Sequence, residues 1–238
     1  MHKVSVVIPT YNRFKYLLNT LKSVKEQTYP NIEIIVVNDK SSQEEYYNYD
    51  WLSNNINIIH LEKNSKEIFG HGCAGFVRNN GIEIASGKYI AFCDDDDIWF
   101  PDKIALQIKA IQETGCKMSS TDGLIGRGIF NSAKLYLKYN AEHYYKRLQT
   151  IYKNKQSNLL DNGFPPIWNL NFLKIHNCVI CSSVVVEKTI LNKINNMKCI
   201  RSGEDYDCWL KVLQHTDSVY VKDICFYYDS GHGDGKNY

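Results

Sequence analysis

The sequence lacks the features that would place it in a membrane or on nucleic acid. No apolar run approaches the roughly 20 residues that a helix needs to cross a bilayer. The formal net charge is only +2 over 238 residues, too weak a bias to indicate nucleic acid or a strongly anionic membrane. Residues 1–3, followed at once by an apolar strand pattern, are too short for a secretory signal and lack a cleavage site. We therefore expect a cytoplasmic protein, or at most one peripheral to a membrane, with no transmembrane segment and no nucleic-acid partner.

Cysteine is not scarce, but a disulfide framework is not expected. The 8 cysteines are an even number, yet the chain is long, has an apolar core and shows no signal peptide, so free thiols are favoured. Cys178 and Cys181 form a CxxC inside the apolar run 178–186, and no second pair stands at zinc-site spacing. We therefore predict two buried strand thiols there rather than zinc ligands.

Short apolar runs alternate with amphipathic stretches through the first half of the chain. The runs predict buried parallel strands at 4–8, 32–37, 56–61 and 89–93. A helix is predicted over 74–85, with Gly87 as its stop. This alternation predicts an α/β fold with a mainly parallel central sheet and helices on both sides.

The second half of the chain has a less regular pattern. A helix over about 133–153 is predicted within a segment rich in Tyr, Lys and Asn. Further along, the pattern predicts strands at 179–186 and 219–228, a helix at 204–215 and a mobile loop from Asp229 to the end. With no internal repeat and no Pro- or Ser-rich linker, we expect one domain in two halves, 1–125 and 126–238.

Three polar clusters stand where predicted strands end. They are Pro9-Thr10-Tyr11-Asn12, Asn38-Asp39 and Asp94-Asp95-Asp96-Asp97. Ligands of open α/β sheets bind beyond the carboxyl ends of strands, so the clusters predict one site. The first two clusters also suit ordinary turn chemistry.

The four aspartates are harder to explain as a solvated surface, because they lie between an apolar strand and the apolar residues 98–100. Adjacent carboxylates repel one another unless a cation lies among them. Oxygen ligands favour Mg²⁺ or Mn²⁺, which predicts a metal site. Spacing does not decide which carboxylates are ligands, and Asp97 could instead cap the following helix.

Five segments carry a more specific signal. They are 4–12 (VSVVIPTYN), 36–39 (VVND), 78–81 (RNNG), 87–97 (GKYIAFCDDDD) and 203–210 (GEDYDCWL). In this order they resemble the family 2 glycosyltransferases of the GT-A fold. The resemblance implies that the first segment and Asp39 hold the nucleoside of a nucleotide sugar.

Further roles follow from the resemblance alone. The family's DxD motif maps onto Asp94, Asp95 and Asp96, with Asp96 as the main metal ligand for Mn²⁺ or Mg²⁺. Arg78 would neutralise charge beside the diphosphate and the aspartates. His232 occupies a place where such enzymes often carry a histidine over the metal, but its sequence context departs from the family's, so a tail histidine is an equal alternative.

Glu204 and Asp205 match the family's catalytic acid pair. Two carboxylates that open a helix are also favoured by the helix dipole, which is the structural alternative. With the resemblance we expect a base, and Asp205 rather than Glu204. Trp168, Tyr206 and Trp209 could form a sugar-stacking wall, but core positions are expected for them.

The resemblance therefore implies an inverting, metal-dependent glycosyltransferase. Residues 1–125 would bind the nucleotide sugar, with uridine diphosphate as the expected nucleotide, and 126–238 would bind a glycan, protein or lipid-linked acceptor. Two alternatives stay open: a nucleotidyltransferase that forms nucleotide sugars, and a non-catalytic sugar-binding protein of the same fold.

Overall fold

One mixed sheet of ten strands runs through residues 1–235, the part of the chain that this computed structural model describes. The strands are β1 (Val4–Thr10), β2 (Ile32–Asn38), β3 (Ile56–His60), β4 (Tyr89–Phe92), β5 (Ile98–Trp99), β6 (Met118–Gly126), β7 (Leu137–Lys138), β8 (Ile167–Trp168), β9 (Val185–Glu187) and β10 (Ser218–Asp229). The helices are α1 (Phe14–Lys25), α2 (Glu45–Asn48), α3 (Ser65–Phe69), α4 (Ala74–Ile84), α5 (Lys103–Thr114), α6 (Tyr145–Asn154), α7 (Leu170–Leu173), α8 (Lys188–Lys193), α9 (Glu204–Val212) and α10 (His232–Gly235). No helix within 1–235 is both long and apolar enough to cross a membrane.

The strand order is β3-β2-β1-β4-β9-β6-β10-β5, with β7 beside β6 and β8 beside β10. The first four of these strands are parallel. The short strand β9 then joins β4 to β6 by antiparallel pairing on both of its edges. Strands β6 and β10 are parallel to each other. A single sheet therefore passes through both halves of the chain, and β9, which comes from the second half, lies between two strands of the first.

The sheet is covered on both faces, which explains its continuous apolar runs. Val7 and Phe92 belong to one buried cluster together with residues of α4, α6 and α9. Val6 and Ile8 point to the opposite face and pack with residues of α1 and α5. Side chains alternate between faces along a strand, so a strand buried on both sides must be apolar throughout. The predicted α/β fold with helices on both sides is confirmed.

Helix α4 lies unusually close to the sheet at Gly81. A Cβ at this position would lie 2.6 Å from Cγ1 of Val7 and 3.1 Å from Cγ2 of Val37. Glycine allows this approach because it has no side chain to clash. The approach fixes α4 against β1, and Arg78, one turn earlier, is thereby held over the end of the sheet.

Two predicted helix features differ in the structure. Helix α4 ends at Ile84 with Ala85 as its C-cap, so the prediction that Gly87 stops it is wrong. The Gly87 amide instead donates to Oγ of Ser5, at 2.8 Å. The predicted helix over 133–153 is wrong in its first part, where β7 and a π-helix, Tyr139–Tyr144, precede α6. The start of the π-helix is fixed by Asp122, whose carboxylate accepts the backbone N–H groups of Asn140 and Ala141.

The predicted strand over 179–186 forms only as β9. Before it, Cys181–Ser183 make a 3₁₀ turn. The turn brings Oγ of Ser182 within 2.9 Å of the Asp94 amide, which donates to it. The predicted mobile loop from Asp229 is also wrong where the structure describes it, because Asp229 closes β10 and α10 follows. The end of that prediction, 236–238, lies outside the described residues.

Two cysteines correct the expectation of free thiols. Cys73 and Cys199 form a disulfide, with their Cα atoms 5.6 Å apart. Cys73 is the N-cap of α4, and Cys199 lies in the segment that leads into α9, so the bridge joins these two helix starts. The other cysteines, all within the described residues, are free and buried, which includes Cys178 and Cys181.

Candidate active site

The acidic run leaves the sheet at the carboxyl end of β4, beside the end of β1. Asp95 and Asp97 are 0% exposed and Asp96 is 7% exposed. Burial of carboxylates is costly unless they are paired. The run is therefore a buried cluster rather than a solvated surface, and its charge must be balanced by neighbours.

Arg13 supplies the first of these balancing charges. Its Nη2 lies 2.9 Å from Oδ1 of Asp95, and its Nη1 lies 2.9 Å from Oδ2 of Asp96. The side chain is buried and is fixed by its position as the N-cap of α1, directly after the turn that follows β1. The sequence reasoning missed Arg13. The available signal was its place one residue beyond Asn12, at the strand end that faces four acids.

Arg78 supplies the second balancing charge and connects two distant motifs. Its Nη2 lies 2.7 Å from Oδ1 of Asp94, and its Nη1 lies 2.8 Å from Oε1 of Glu204. Paired guanidinium–carboxylate contacts of this kind also fix orientation. The structure thus brings Arg78, the acidic cluster and the acid pair together. Each of the three had been predicted from the sequence as part of one site.

Asp205 lies beside Glu204 in the first turn of α9, which begins after Gly203 in the left-handed conformation. Oδ1 of Asp205 accepts the Tyr206 N–H at 2.7 Å. Burial, and next the charge of Glu204, raises the pKa of the Asp205 carboxyl to about 6. One acid of the pair is therefore held by an arginine, while the other is poised to take up a proton near neutral pH.

A small cavity lies among these groups. It encloses about 90 Å³ and is lined by Pro9, Arg13, Arg78, Asp94, Asp95, Asp96 and His232. Pockets that hold small-molecule ligands typically measure about 300–1,000 Å³. The cavity therefore has room for an ion and a few water molecules, but not for a nucleotide sugar.

The C-terminal turn brings His232 to the wall of the cavity, and Asp229 holds that turn in place. Oδ1 of Asp229 accepts the N–H groups of Gly128 and Gly231, and Oδ2 accepts that of Gly233. The Asp229 N–H in turn donates to Oδ1 of Asp97, at 2.9 Å. Asp97 therefore ties the acidic cluster to the turn that carries His232. The alternative that Asp97 caps the next helix is wrong, because the N-cap of α5 is Asp102.

The residues predicted to hold a nucleoside lie at the adjacent ends of β1 and β2. Oγ1 of Thr10 lies 2.6 Å from the Tyr46 hydroxyl, and Asn12 accepts the Ser42 N–H through Oδ1. Asp39 is fully buried, and burial raises the pKa of its carboxyl.

Both Asp39 oxygens already accept hydrogen bonds, one from the Ser65 N–H and one from its hydroxyl. Tyr11, at the same edge, is half-buried. The nucleoside contacts of these residues stay predictions. A nucleoside hydroxyl bound by Asp39 would share the Asp39 carboxylate oxygens with Ser65.

The chemistry of the cavity fits a divalent cation. Three carboxylates and one imidazole line the cavity, together with two guanidinium groups that balance part of the negative charge. Burial, and next the charge of Asp95, raises the pKa of the Asp96 carboxyl well above its ordinary range, the electrostatic strain that a bound cation would relieve. The side chains are not arranged as metal ligands in this structure. Within 1–235, no three acidic, histidine or cysteine side chains are placed to hold one ion.

The aromatic residues near the acid pair are mainly structural. Trp168 and Trp209 are buried in the core, as expected. Tyr206 is half-buried and donates its hydroxyl to the Leu173 carbonyl, at 2.9 Å.

Known proteins resemble this chain in sequence. The sequence model described as glycosyl transferase family 2 matches residues 5–168. An uncharacterized glycosyltransferase of Rickettsia bellii is 33% identical over 211 residues, which cover 88% of this chain and 26% of the relative. The Escherichia coli protein WfgD, named UDP-Glc:alpha-D-GlcNAc-diphosphoundecaprenol beta-1,3-glucosyltransferase, is 28% identical over 89% of this chain and 70% of its own length. The chain spans between a quarter and a third of the length of the Rickettsia relatives from R. bellii, R. conorii and R. felis.

Solved structures confirm the predicted fold. TarS 1–349 of S. aureus superposes with a TM-score of 0.71 at 20% identity, covering 98% of this chain and 62% of that chain. The mannosyltransferase PcManGT of Pyrobaculum calidifontis gives 0.64 at 13% identity, covering 95% of this chain and 56% of that one. These are GT-A glycosyltransferase structures, and the family match covers more than half of the sequence. The chain therefore belongs to glycosyl transferase family 2.

Proposed function

We propose that this protein transfers a sugar from a UDP-sugar to an acceptor hydroxyl with inversion at the anomeric carbon. The observation that carries the proposal is the double contact of Arg78, which holds Asp94 and Glu204 at one point. Asp94, which would lie by the donor diphosphate, and Glu204, which adjoins the proposed base Asp205, are thereby fixed next to each other. Such fixed geometry is a main source of catalytic power.

Asp205 is the base in this proposal. An acceptor hydroxyl is a poor nucleophile, and a carboxylate in contact with it can take its proton as the oxygen attacks. A carboxyl group whose pKa is raised to about 6 is a better proton acceptor than an ordinary aspartate, yet is still largely ionised at neutral pH. Arg78 keeps Glu204 away from this task by pairing with it.

The diphosphate of the donor would lie against the cavity. Asp96 and His232 are the proposed metal ligands, with Asp94 and Asp95 beside them. Mn²⁺ or Mg²⁺ held there would stabilise negative charge on the departing diphosphate; the PcManGT structure is described with GDP-Man and Mn²⁺. A cavity of about 90 Å³ would take the metal ion, with the nucleoside outside it at the ends of β1 and β2.

The nature of the donor and acceptor is proposed from the named relative. WfgD uses UDP-Glc and a diphosphoundecaprenol-linked acceptor according to its name. We infer a UDP-hexose donor and a lipid-linked glycan acceptor for this chain. Tyr11, half-buried at the end of β1, is the proposed stacking surface for the uracil ring.

Release of UDP from UDP-glucose, followed with and without a lipid-linked acceptor, tests the proposal. We expect release to require Mn²⁺ or Mg²⁺, to stop in EDTA and to return when metal is restored. Asp96→Asn should abolish release, whereas Asp223→Asn, which alters an exposed aspartate of β10, should not.

Two other outcomes would contradict the proposal. Turnover that depends on pyrophosphate and forms a nucleoside triphosphate would indicate a nucleotidyltransferase. Binding of nucleotide sugars without any turnover would indicate a non-catalytic sugar-binding protein.

A further inference from the structure

A basic and apolar segment borders the candidate site. We call it the rim segment, residues 127–138, which joins the end of β6 to β7. Arg127, Lys134 and Lys138 are its charged residues, and the segment contains no acidic residue. The chain as a whole has a net charge of only +2, whereas this segment alone carries the positive charges of Arg127, Lys134 and Lys138.

Large aliphatic side chains of the rim segment point into solvent. Ile129 is 43% exposed, Leu137 is 57% exposed and Leu135 is fully exposed. Single exposed aliphatic residues are normal on protein surfaces. Three of them in one short segment, interleaved with basic residues, are unusual and mark an interaction surface.

The exposure is not a sign of a poorly packed segment. The Phe130 ring lies 5.4 Å from the Phe100 ring and 5.3 Å from the Tyr227 ring. The Tyr136 ring also packs against Tyr227, at 4.9 Å, and its hydroxyl accepts the Asn131 N–H. Aromatic residues therefore anchor the segment from inside while its aliphatic residues are presented outward.

The rim segment is attached directly to the turn that carries His232. The Gly128 N–H donates to Oδ1 of Asp229 at 2.7 Å, and the Gly128 carbonyl accepts the Tyr227 hydroxyl at 2.8 Å. Asp229 also holds the glycines that flank His232. A surface bound to the rim segment would therefore lie next to the mouth of the site.

We propose that the rim segment docks the protein onto an anionic lipid bilayer. Aliphatic side chains would enter the headgroup region, while Arg127, Lys134 and Lys138 would pair with lipid phosphates. Apolar residues combined with basic ones are what peripheral proteins use to bind such surfaces. The charge of the segment complements a bilayer, and its outward aliphatic residues distinguish it from a site for a soluble anion. Docking does not depend on the proposed function, but it would place the site where a lipid-linked acceptor is held.

Flotation with lipid vesicles, without nucleotide or acceptor, tests this proposal. The full chain should float with vesicles of phosphatidylcholine and phosphatidylglycerol, should bind pure phosphatidylcholine weakly, and should dissociate as salt is raised. Lys134→Gln/Lys138→Gln should weaken binding about thirtyfold, since each basic residue near an anionic surface contributes substantially to affinity. Leu135→Ser/Leu137→Ser should weaken binding at any salt concentration.

Matched variants control for general changes in charge and hydrophobicity. Leu52→Ser alters another highly exposed leucine, in the segment that precedes β3. Lys22→Gln/Lys109→Gln removes the same charge from two exposed helical lysines. Both should float like the wild type, and all variants should keep the wild-type circular dichroism spectrum.

The proposal is overturned if the wild type does not float, if it binds neutral and anionic vesicles equally, or if the rim variants float as well as the controls. Because no turnover is measured, failure here leaves the proposed transferase activity unaffected, and failure of that activity leaves docking unaffected.

Discussion

Two neighbouring carboxylates, Glu204 and Asp205, differ in their environments within the same helical turn. Glu204 is held by Arg78 at 2.8 Å. Asp205 has its pKa raised from 3.8 to about 6 by burial and then by the charge of Glu204. The two environments therefore favour an oriented anion at Glu204 and, in the proposed function, a proton acceptor at Asp205.

The raised pKa predicts the pH dependence of turnover. As the proposed base, Asp205 would act only when it is ionised, so kcat/KM should fall about tenfold per pH unit below about pH 6. A profile of UDP release against pH, at saturating metal, checks this. An acidic limb that lies near the ordinary aspartate value of 3.8 would contradict the assigned environment.

Substitution of Asp205 tests its role more directly. Asp205→Asn keeps the shape and removes the base, so turnover should fall by about 10²–10⁴ while donor affinity persists. Steady-state kinetics and calorimetric titration with UDP measure the two effects. Near-normal turnover by the variant would make Asp205 structural.

The sign of the pKa shift also separates catalysis from stability. The folded state holds the Asp205 proton more tightly than the unfolded state, so ionisation disfavours folding increasingly as pH rises from 3.8 through about 6. Asp205→Asn should therefore leave the free energy of unfolding at neutral pH unchanged or slightly raised. A drop in turnover with no drop in stability identifies a chemical role.

Among residues, the sequence alone revealed the acids better than their counter-charges. Asp94 to Asp97 stand out because they interrupt an apolar pattern, and Glu204 stands out by resemblance. Arg13 interrupts no apolar pattern and lies one residue beyond the matched segment 4–12, so only its place after β1 pointed to it. Its contacts to Asp95 and Asp96 exist only when β1 and β4 pair.

Arg78 of α4 joins this helix to α9 through its ion pair with Glu204. The contribution of this ion pair to the free energy of unfolding should be measurable. Arg78→Met leaves the largely buried Glu204 and Asp94 carboxylates without their partner, which should lower the free energy of unfolding by about 3–5 kcal/mol. Urea denaturation checks the value.

A double-variant cycle supplies the control. Arg78→Met/Glu204→Gln should recover part of the lost stability, because one unpaired charge is removed together with the arginine. Additive effects of the two substitutions would show that the contact at 2.8 Å contributes no coupling energy.

Elements that depend on local pattern were predicted well, and those that depend on distant partners were not. The apolar runs of β1, β2 and β4 identify them because each is buried on both faces. The 3₁₀ turn before β9 depends on the bond between Ser182 and Asp94. The π-helix depends on Asp122, whose carboxylate lies in another strand, so periodicity within 133–153 could not show it.

Over the whole molecule, the Cys73–Cys199 bridge closes a loop with a sequence separation of 126. Alkylation of the unfolded protein without reductant, followed by mass spectrometry, should modify every cysteine except this pair. Reduction should expose both and lower stability by about 4 kcal/mol, as expected for a long closed loop. In the matched variant Cys199→Ser, Cys73 loses its partner, so it should be modified together with the free cysteines. Modification of all 8 cysteines without reductant would refute the pairing.

The order of strands across the sheet is the part of the fold that the sequence could not show. Alternating elements predict a parallel sheet for residues 1–93, and β3-β2-β1-β4 agrees with it. The antiparallel insertion of β9 between β4 and β6 joins segments that are far apart in the chain, and no local pattern records such pairing.

That insertion has a consequence during protein synthesis. The N-terminal strands can pair with one another as they leave the ribosome, but the outer edge of β4 has no neighbour until Val185 and Val186 have been translated. An open, apolar strand edge is a site for pairing between chains. The nascent chain should thus expose an unpaired strand edge, a site for pairing between chains, in the interval between the synthesis of Phe92 and that of β9.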